Sequence, residues 1–131
     1  MKISRFATDL NLEENGVWVD LGDGGQLLIA RMSNPAYRDR IRILTKPYKR
    51  QIRNDSLEEG ILDDLIIKAM SETVLLDWKG IEDDKGKPIK YSTKNAYELL
   101  RDLRDFRVLV SELSTEQELF RRAETEAEGN S

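Results

Sequence analysis

Cysteine and histidine are both missing from the 131 residues of this chain. Without cysteine there are no disulfides, no iron–sulfur or thiolate zinc sites and no thiol nucleophile, which agrees with a reducing compartment. Without histidine the usual general base near neutral pH and the commonest neutral metal ligand are gone, so most hydrolase triads are excluded. Long apolar runs are lacking too. No window approaches the length that spans a bilayer, and Met1 to Leu12 alternates charged and apolar residues instead of forming a signal-peptide core. The expectation is a cytoplasmic protein with no membrane partner. Nor is there a large excess of either charge: 35% of the residues are charged, the signs are mixed and the net charge is −4. That balance predicts solubility rather than a polyanionic partner.

A chain of this length buries roughly two thirds of the surface its unfolded form exposes, enough for one domain without staples. Gly16-Val17-Trp18-Val19-Asp20-Leu21 alternates, Gly22-Asp23-Gly24-Gly25 follows, and Gln26 to Arg31 is again β-rich. The pattern predicts a β-hairpin, its turn built from residues that accept positive φ. A missing lysine and a following strand separate this glycine cluster from a phosphate-binding loop.

Helical signals start at Asn34-Pro35, with Asn34 as N-cap and Pro35 at the first helical position. Tyr37, Ile41 and Leu44 mark its inner face, and Pro47 should kink the helix just before Tyr48. Ser56-Leu57-Glu58-Glu59 has capping-box spacing and predicts a long helix that Gly80 terminates. Its apolar residues come in adjacent pairs, Ile61 and Leu62, Leu65 and Ile66, Ala69 and Met70, Thr73 and Val74, a stripe wider than one neighbour covers. Such a helix is either the central core helix or a binding face. Residues 81–91, rich in turn formers, predict a defined loop or short hairpin before Ser92 caps the next helix. An apolar turn from Phe106 to Leu113 should follow, and Ser114-Thr115-Glu116-Gln117 should cap a last helix with Leu119, Phe120 and Ala123 on its edge. The expected fold is mainly α with a small N-terminal β-hairpin, an α+β domain of four to five helices. Residues 1–123 form the domain, with the hairpin over 16–31 and helices over 34–123, and 124–131 is a polar tail.

Candidate sites are few. Glu82-Asp83-Asp84 lacks calcium-loop spacing and reads as a solvated loop. Acid-only catalysis is weakened because no carboxylate sits in an apolar setting that would raise its pKa. Tyr37 to Arg53 carries Arg38, Arg40, Arg42, Lys46, Lys49, Arg50 and Arg53 against the single acid Asp39. Two readings apply: a face for nucleic acid or an acidic partner, with Tyr37 and Tyr48 free to stack, or a helix whose solvent side balances acidic neighbours. The second is favoured because no nucleic-acid motif accompanies the charge. Trp18 and Trp78 are each either interface anchors or core.

Several blocks run together in a familiar order: Ser4-Arg5-Phe6, Gly16-Val17-Trp18-Val19 and Ile29-Ala30-Arg31 before Asn34-Pro35-Ala36-Tyr37. Thr73-Val74-Leu75-Leu76-Asp77-Trp78-Lys79-Gly80 follows, then Gly86-Lys87-Pro88-Ile89-Lys90-Tyr91-Ser92 and Asn95-Ala96. Over nearly its whole length the chain resembles the tail assembly chaperones of long-tailed bacteriophages. The resemblance implies a non-enzymatic protein of the infected bacterium, absent from the mature virion. It implies binding to the tape measure protein, and a longer product of ribosomal frameshifting that recruits the tail tube protein. No catalytic, cofactor-binding or metal-binding residue follows from it, and no cofactor. The expected partners are those two proteins and further copies of the chain, with no nucleic acid. As protein-binding residues the sequence offers Ile61, Leu62, Leu65, Ile66 and Met70 from the long helix, Arg42 and Arg50 from the basic stripe, and Trp78.

Overall fold

Alternating apolar side chains around a glycine turn make the first sheet element. In the computed structural model, which describes residues 1–121, β1 (Val17–Gly22) pairs antiparallel with β2 (Gly25–Ile29), Val17 opposite Ile29 and Val19 opposite Leu27. The turn residues Asp23 and Gly24 both take positive φ, 53° and 82°, as a two-residue type I′ connection requires. Leu27 and Ile29 are fully buried beneath the helices.

Before the hairpin, Asp9 caps a short helix α1 (Leu10–Asn15) by accepting the backbone N–H groups of Asn11 and Leu12. This helix has no counterpart in the sequence expectation. After the hairpin, Asn34 caps α2 (Pro35–Thr45) as expected, its Oδ1 accepting the Tyr37 N–H at 3.0 Å. It is itself buried, and its Nδ2 donates to the carbonyls of Arg31 and Thr73. The predicted kink is also found: α2 ends before Pro47, a 3-10 turn covers Lys46–Tyr48, and α3 (Lys49–Arg53) resumes the helix.

The long second helix is shorter than its sequence signals predict, at both ends. Gly60, at φ 90°, is the N-cap of α4 (Ile61–Thr73), so the Ser56 capping box does not start it. The Ser56 N–H instead donates to the Gln51 carbonyl and closes the end of α3. At the other end β-branched Thr73 and Val74 stop the helix, and Leu75–Lys79 becomes β3, antiparallel to β2, completing a sheet of order β1-β2-β3. Gly80 therefore ends a strand, not a helix. A Cβ there would lie 2.1 Å from the Gly24 carbonyl oxygen, so this position admits only glycine where the strand end meets the hairpin turn.

Residues 81–89 form the expected small hairpin, with the Ile89 N–H donating to Ile81 and the Asp83 N–H to Lys87. Ser92 caps α5 (Thr93–Asp102) through the Asn95 N–H. The apolar turn expected from Phe106 is a full helix, α6 (Arg104–Thr115). Ser114 lies inside its last turn and donates to the Ser111 carbonyl, so it caps nothing. A 3-10 turn over Gln117–Phe120 follows, and the expectations for Ala123 and the tail fall outside the described residues.

Helix α4 is the pivot. It packs against α2 on one side and α5 on the other, while α6 covers α5 and touches β2. The core joins Leu27, Ile29, Ile67, Met70, Val74, Leu75, Leu100, Val110 and Phe120. Mainly helical with a small antiparallel sheet, the fold is α+β as expected, with one strand more than the sequence reading contained.

Candidate functional site

Because α4 shows adjacent apolar pairs, its stripe is too wide for the core alone, and one edge stays open. Leu65 and Met70 turn inward and are buried, Met70 to 2% exposure. Ile61 and Ile66 are half-buried, and Leu62 keeps 44% of its surface. Leu62, Ile66 and Met70 follow one another at steps of four, one face of the helix. That face borders an open groove of about 320 Å3 between α4 and α6, lined by Ile66, Ile67 and Met70 on one wall and by Val108 and Ser111 on the other. Val108 is 44% exposed. Asp63, Arg107 and Glu112 supply charge at its rim.

The α6 wall departs from the expectation of a short apolar turn over Phe106 to Leu113. The signal was present: Phe106, Val110 and Leu113 recur at steps of four and three. On the opposite side of that face, Val108 is left to solvent.

Trp78 does not belong to any exposed surface. It is 5% exposed, its Nε1 donates to the Ile89 carbonyl at 2.7 Å, and the Tyr91 ring meets it edge-on with centroids 5.0 Å apart. The Tyr91 hydroxyl in turn donates to the Leu75 carbonyl at 2.7 Å. Burial, followed by the Asp77 charge, raises the Tyr91 pKa. Trp78 and Tyr91, from the two most specific blocks of the family resemblance, thus clasp the 81–91 loop onto β3. Trp18 lies on the solvent side of the sheet, with the Lys79 ammonium 4.2 Å from its ring centre.

Arg42 and Arg50 both lie exposed on the α2–α3 segment, away from the groove. Tyr37 packs against the core and burial raises its pKa; Tyr48 is half-buried. A second hollow of about 340 Å3 lies where α4 meets α5, with Lys68, Lys94, Asp64, Glu72 and Tyr97 around it. Its two acids are engaged, for Tyr97 donates to Asp64, which raises the phenol pKa, and Glu72 accepts from Arg40. The Asp83 carboxylate accepts the Lys85 and Lys87 N–H groups, closing its own loop. Among the described residues no group of three or more potential metal ligands comes together, and no helix is long and apolar enough to cross a membrane.

A family model described as YdaY prophage protein matches residues 32–130. The chain belongs to that family. The protein is therefore phage-derived, and the matched stretch of the YdaY prophage protein family runs from Met32 through both walls of the groove and the whole α2–α3 segment. The β1–β2 hairpin precedes it. No curated protein and no solved structure matches the chain.

Proposed function

We propose that this prophage protein is a non-enzymatic tail assembly chaperone, which binds the tape measure protein and keeps it soluble while the tail is built. The observation that carries the reading is the open apolar edge of α4 and α6, where Ile66 and Val108 line a groove with charged residues at its rim and the exposed Leu62 lies one helical turn before Ile66. An amphipathic helix buries its apolar stripe in such a groove. A long helical protein that would aggregate alone needs this kind of cover. Prophage membership and the sequence blocks around Trp78 and Tyr91 support the same role. Coating a long filament takes many copies, so the chain acts as a homo-oligomer whose repeated weak contacts gain by avidity. It works in the host bacterial cytoplasm and is left out of the mature virion, and a frameshifted longer product recruits the tail tube protein.

The test is co-expression with the tape measure protein of the same prophage. The expected result is a soluble complex that co-purifies, lost when Leu62→Glu and Val108→Glu are combined while the fold is unchanged by circular dichroism. An insoluble tape measure protein with the wild-type chain, or an unaffected complex with the variant, overturns the assignment.

A further inference from the structure

Residues 37–53 carry seven cations and one acid, +6 in a chain of net −4, so the rest of the molecule carries −10. The helical path sorts these cations. Along α2 and its C-cap, Arg38, Arg42 and Lys46 follow one another at steps of four, and in α3 Lys49 and Arg53 do the same with Arg50 beside them, while Arg40, Tyr37 and Leu44 fall on the other side of α2. All six stripe residues are exposed, and α2, the 3-10 turn and α3 contain no buried residue.

Acidic neighbours do not balance them. Among the described residues, Arg42 pairs with Asp39 at 3.1 Å and the inward Arg40 pairs with Glu72, but Arg38, Lys46, Lys49, Arg50 and Arg53 make no ion pair. Five unpaired like charges in a row repel one another, and folding does not use them. The exposed aliphatic residues of the segment, Ile43 and Ile52 at 59% and 44% exposure, lie nine residues apart, one on each helix, whereas protein interfaces gather such anchors at their centre while thinning out charge. Tyr37 packs against the core and Tyr48 is half-buried, so neither supplies a fully exposed ring for stacking on bases.

We propose that the outer face of α2–α3 binds the phosphate backbone of duplex DNA without reading sequence, a second activity independent of the chaperone reading. The cations run along α2 and, past the kink, along α3, and a duplex offers them a dense array of phosphates, one for about every 3.4 Å of axis on each strand. Four of the six are arginines, whose planar fork suits phosphate oxygens. The acidic remainder of the molecule holds the contact to this face, since repulsion elsewhere prevents wrapping.

The experiment is fluorescence anisotropy of the intact chain with a labelled duplex of about 20 base pairs, starting near 50 mM salt. The expected result is binding whose logarithm falls with the logarithm of salt at a slope of about −4.5, each of the five cations without an ion pair neutralising one phosphate at about −0.9. Arg42→Glu with Arg50→Glu should weaken it more than tenfold with the circular dichroism spectrum unchanged, and Arg42→Lys with Arg50→Lys should keep most of it. Competitors at matched charge separate the sources: unlabelled duplex displaces the label best, single-stranded DNA less well. No binding at low salt, a slope near zero, or a folded charge-reversed variant that binds as well as wild type overturns the proposal. So does equal displacement by polyglutamate, which would assign the face to an acidic protein.

Discussion

Two regions of the molecule use aromatic and charged residues in opposite ways. Around β3, Trp78, Tyr91 and Gly80 are committed inward: the indole N–H and the phenol O–H have carbonyl partners within 2.7 Å, and the glycine lies where no side chain fits. Along α2–α3 the charged groups are committed outward, and five cations have no ionic partner among the described residues. Both segments stand out in the sequence for the same reason, an unusual local composition. Their environments show that one preserves the fold and the other is spare surface, so prominence in sequence says little about which is which.

The sharpest way to break this comparison is to cut into the first region. Trp78→Ala should cost about 3–5 kcal/mol, because it removes a buried ring and leaves the Ile89 carbonyl without its donor. Urea denaturation measures it, and a cost below about 1 kcal/mol, the size of a typical surface change, would return Trp78 to the list of interface residues. Gly80→Ala comes next, at about 2 kcal/mol or more, since φ is 68° and the new Cβ collides with the Gly24 carbonyl. Its thermal midpoint should drop while Gly24→Ala, strained at φ 82° but facing open space, drops less.

Tyr91→Phe removes a single hydroxyl and should cost about 1 kcal/mol near neutral pH. Its signature is in alkali. The folded-state pKa of Tyr91 is raised by burial and by Asp77, so the native chain keeps a proton that the unfolded chain gives up above about pH 10. The unfolded state then binds fewer protons, and stability falls as pH climbs from there through the folded pKa. Denaturation midpoints across that window should decline more steeply for wild type than for Tyr91→Phe. Parallel curves would mean that the hydroxyl is not held as described.

How far the sequence foretold all this depended on whether the signal was local. Asn34-Pro35, Gly22 to Gly25, Pro47 and Ser92 act within a few residues of themselves, and each is found where it was read. The capping box at Ser56 failed because Gly60, four residues on, takes a left-handed conformation that restarts the chain. β3 was hidden because Leu75 to Lys79 continues an apolar helical pattern, and only pairing with β2, some fifty residues earlier, decides it for strand. The groove is half legible in the sequence: the paired apolar residues of α4 mark one wall, whereas the α6 wall with Val108 carries no comparable signal, since its apolar residues Phe106, Val110 and Leu113 mark the opposite face. Met70, Leu65 and Trp78 were offered as binding residues because an apolar side chain carries no mark of which neighbour covers it.

The smallest expected effect tests the second region and carries a sign. Arg38 and Arg42, Arg42 and Lys46, and Lys49 and Arg53 are like charges one helical turn apart, each pair costing about 0.2–0.5 kcal/mol. Lys49→Glu replaces one such repulsion with an attraction in the favoured order, acid before base. It should therefore leave the protein as stable as before or stabilise it by about 0.3 kcal/mol, read as a slightly higher denaturation midpoint at low salt. Salt should erase the gain, because the groups are exposed and lie within a screening length of solvent ions. A folding use for the cations requires the reverse, a loss of stability when any one of them is removed. If Lys49→Glu lowers the midpoint at every salt concentration, the stripe is tied into the fold through a contact with the chain, and its availability to phosphates goes with it.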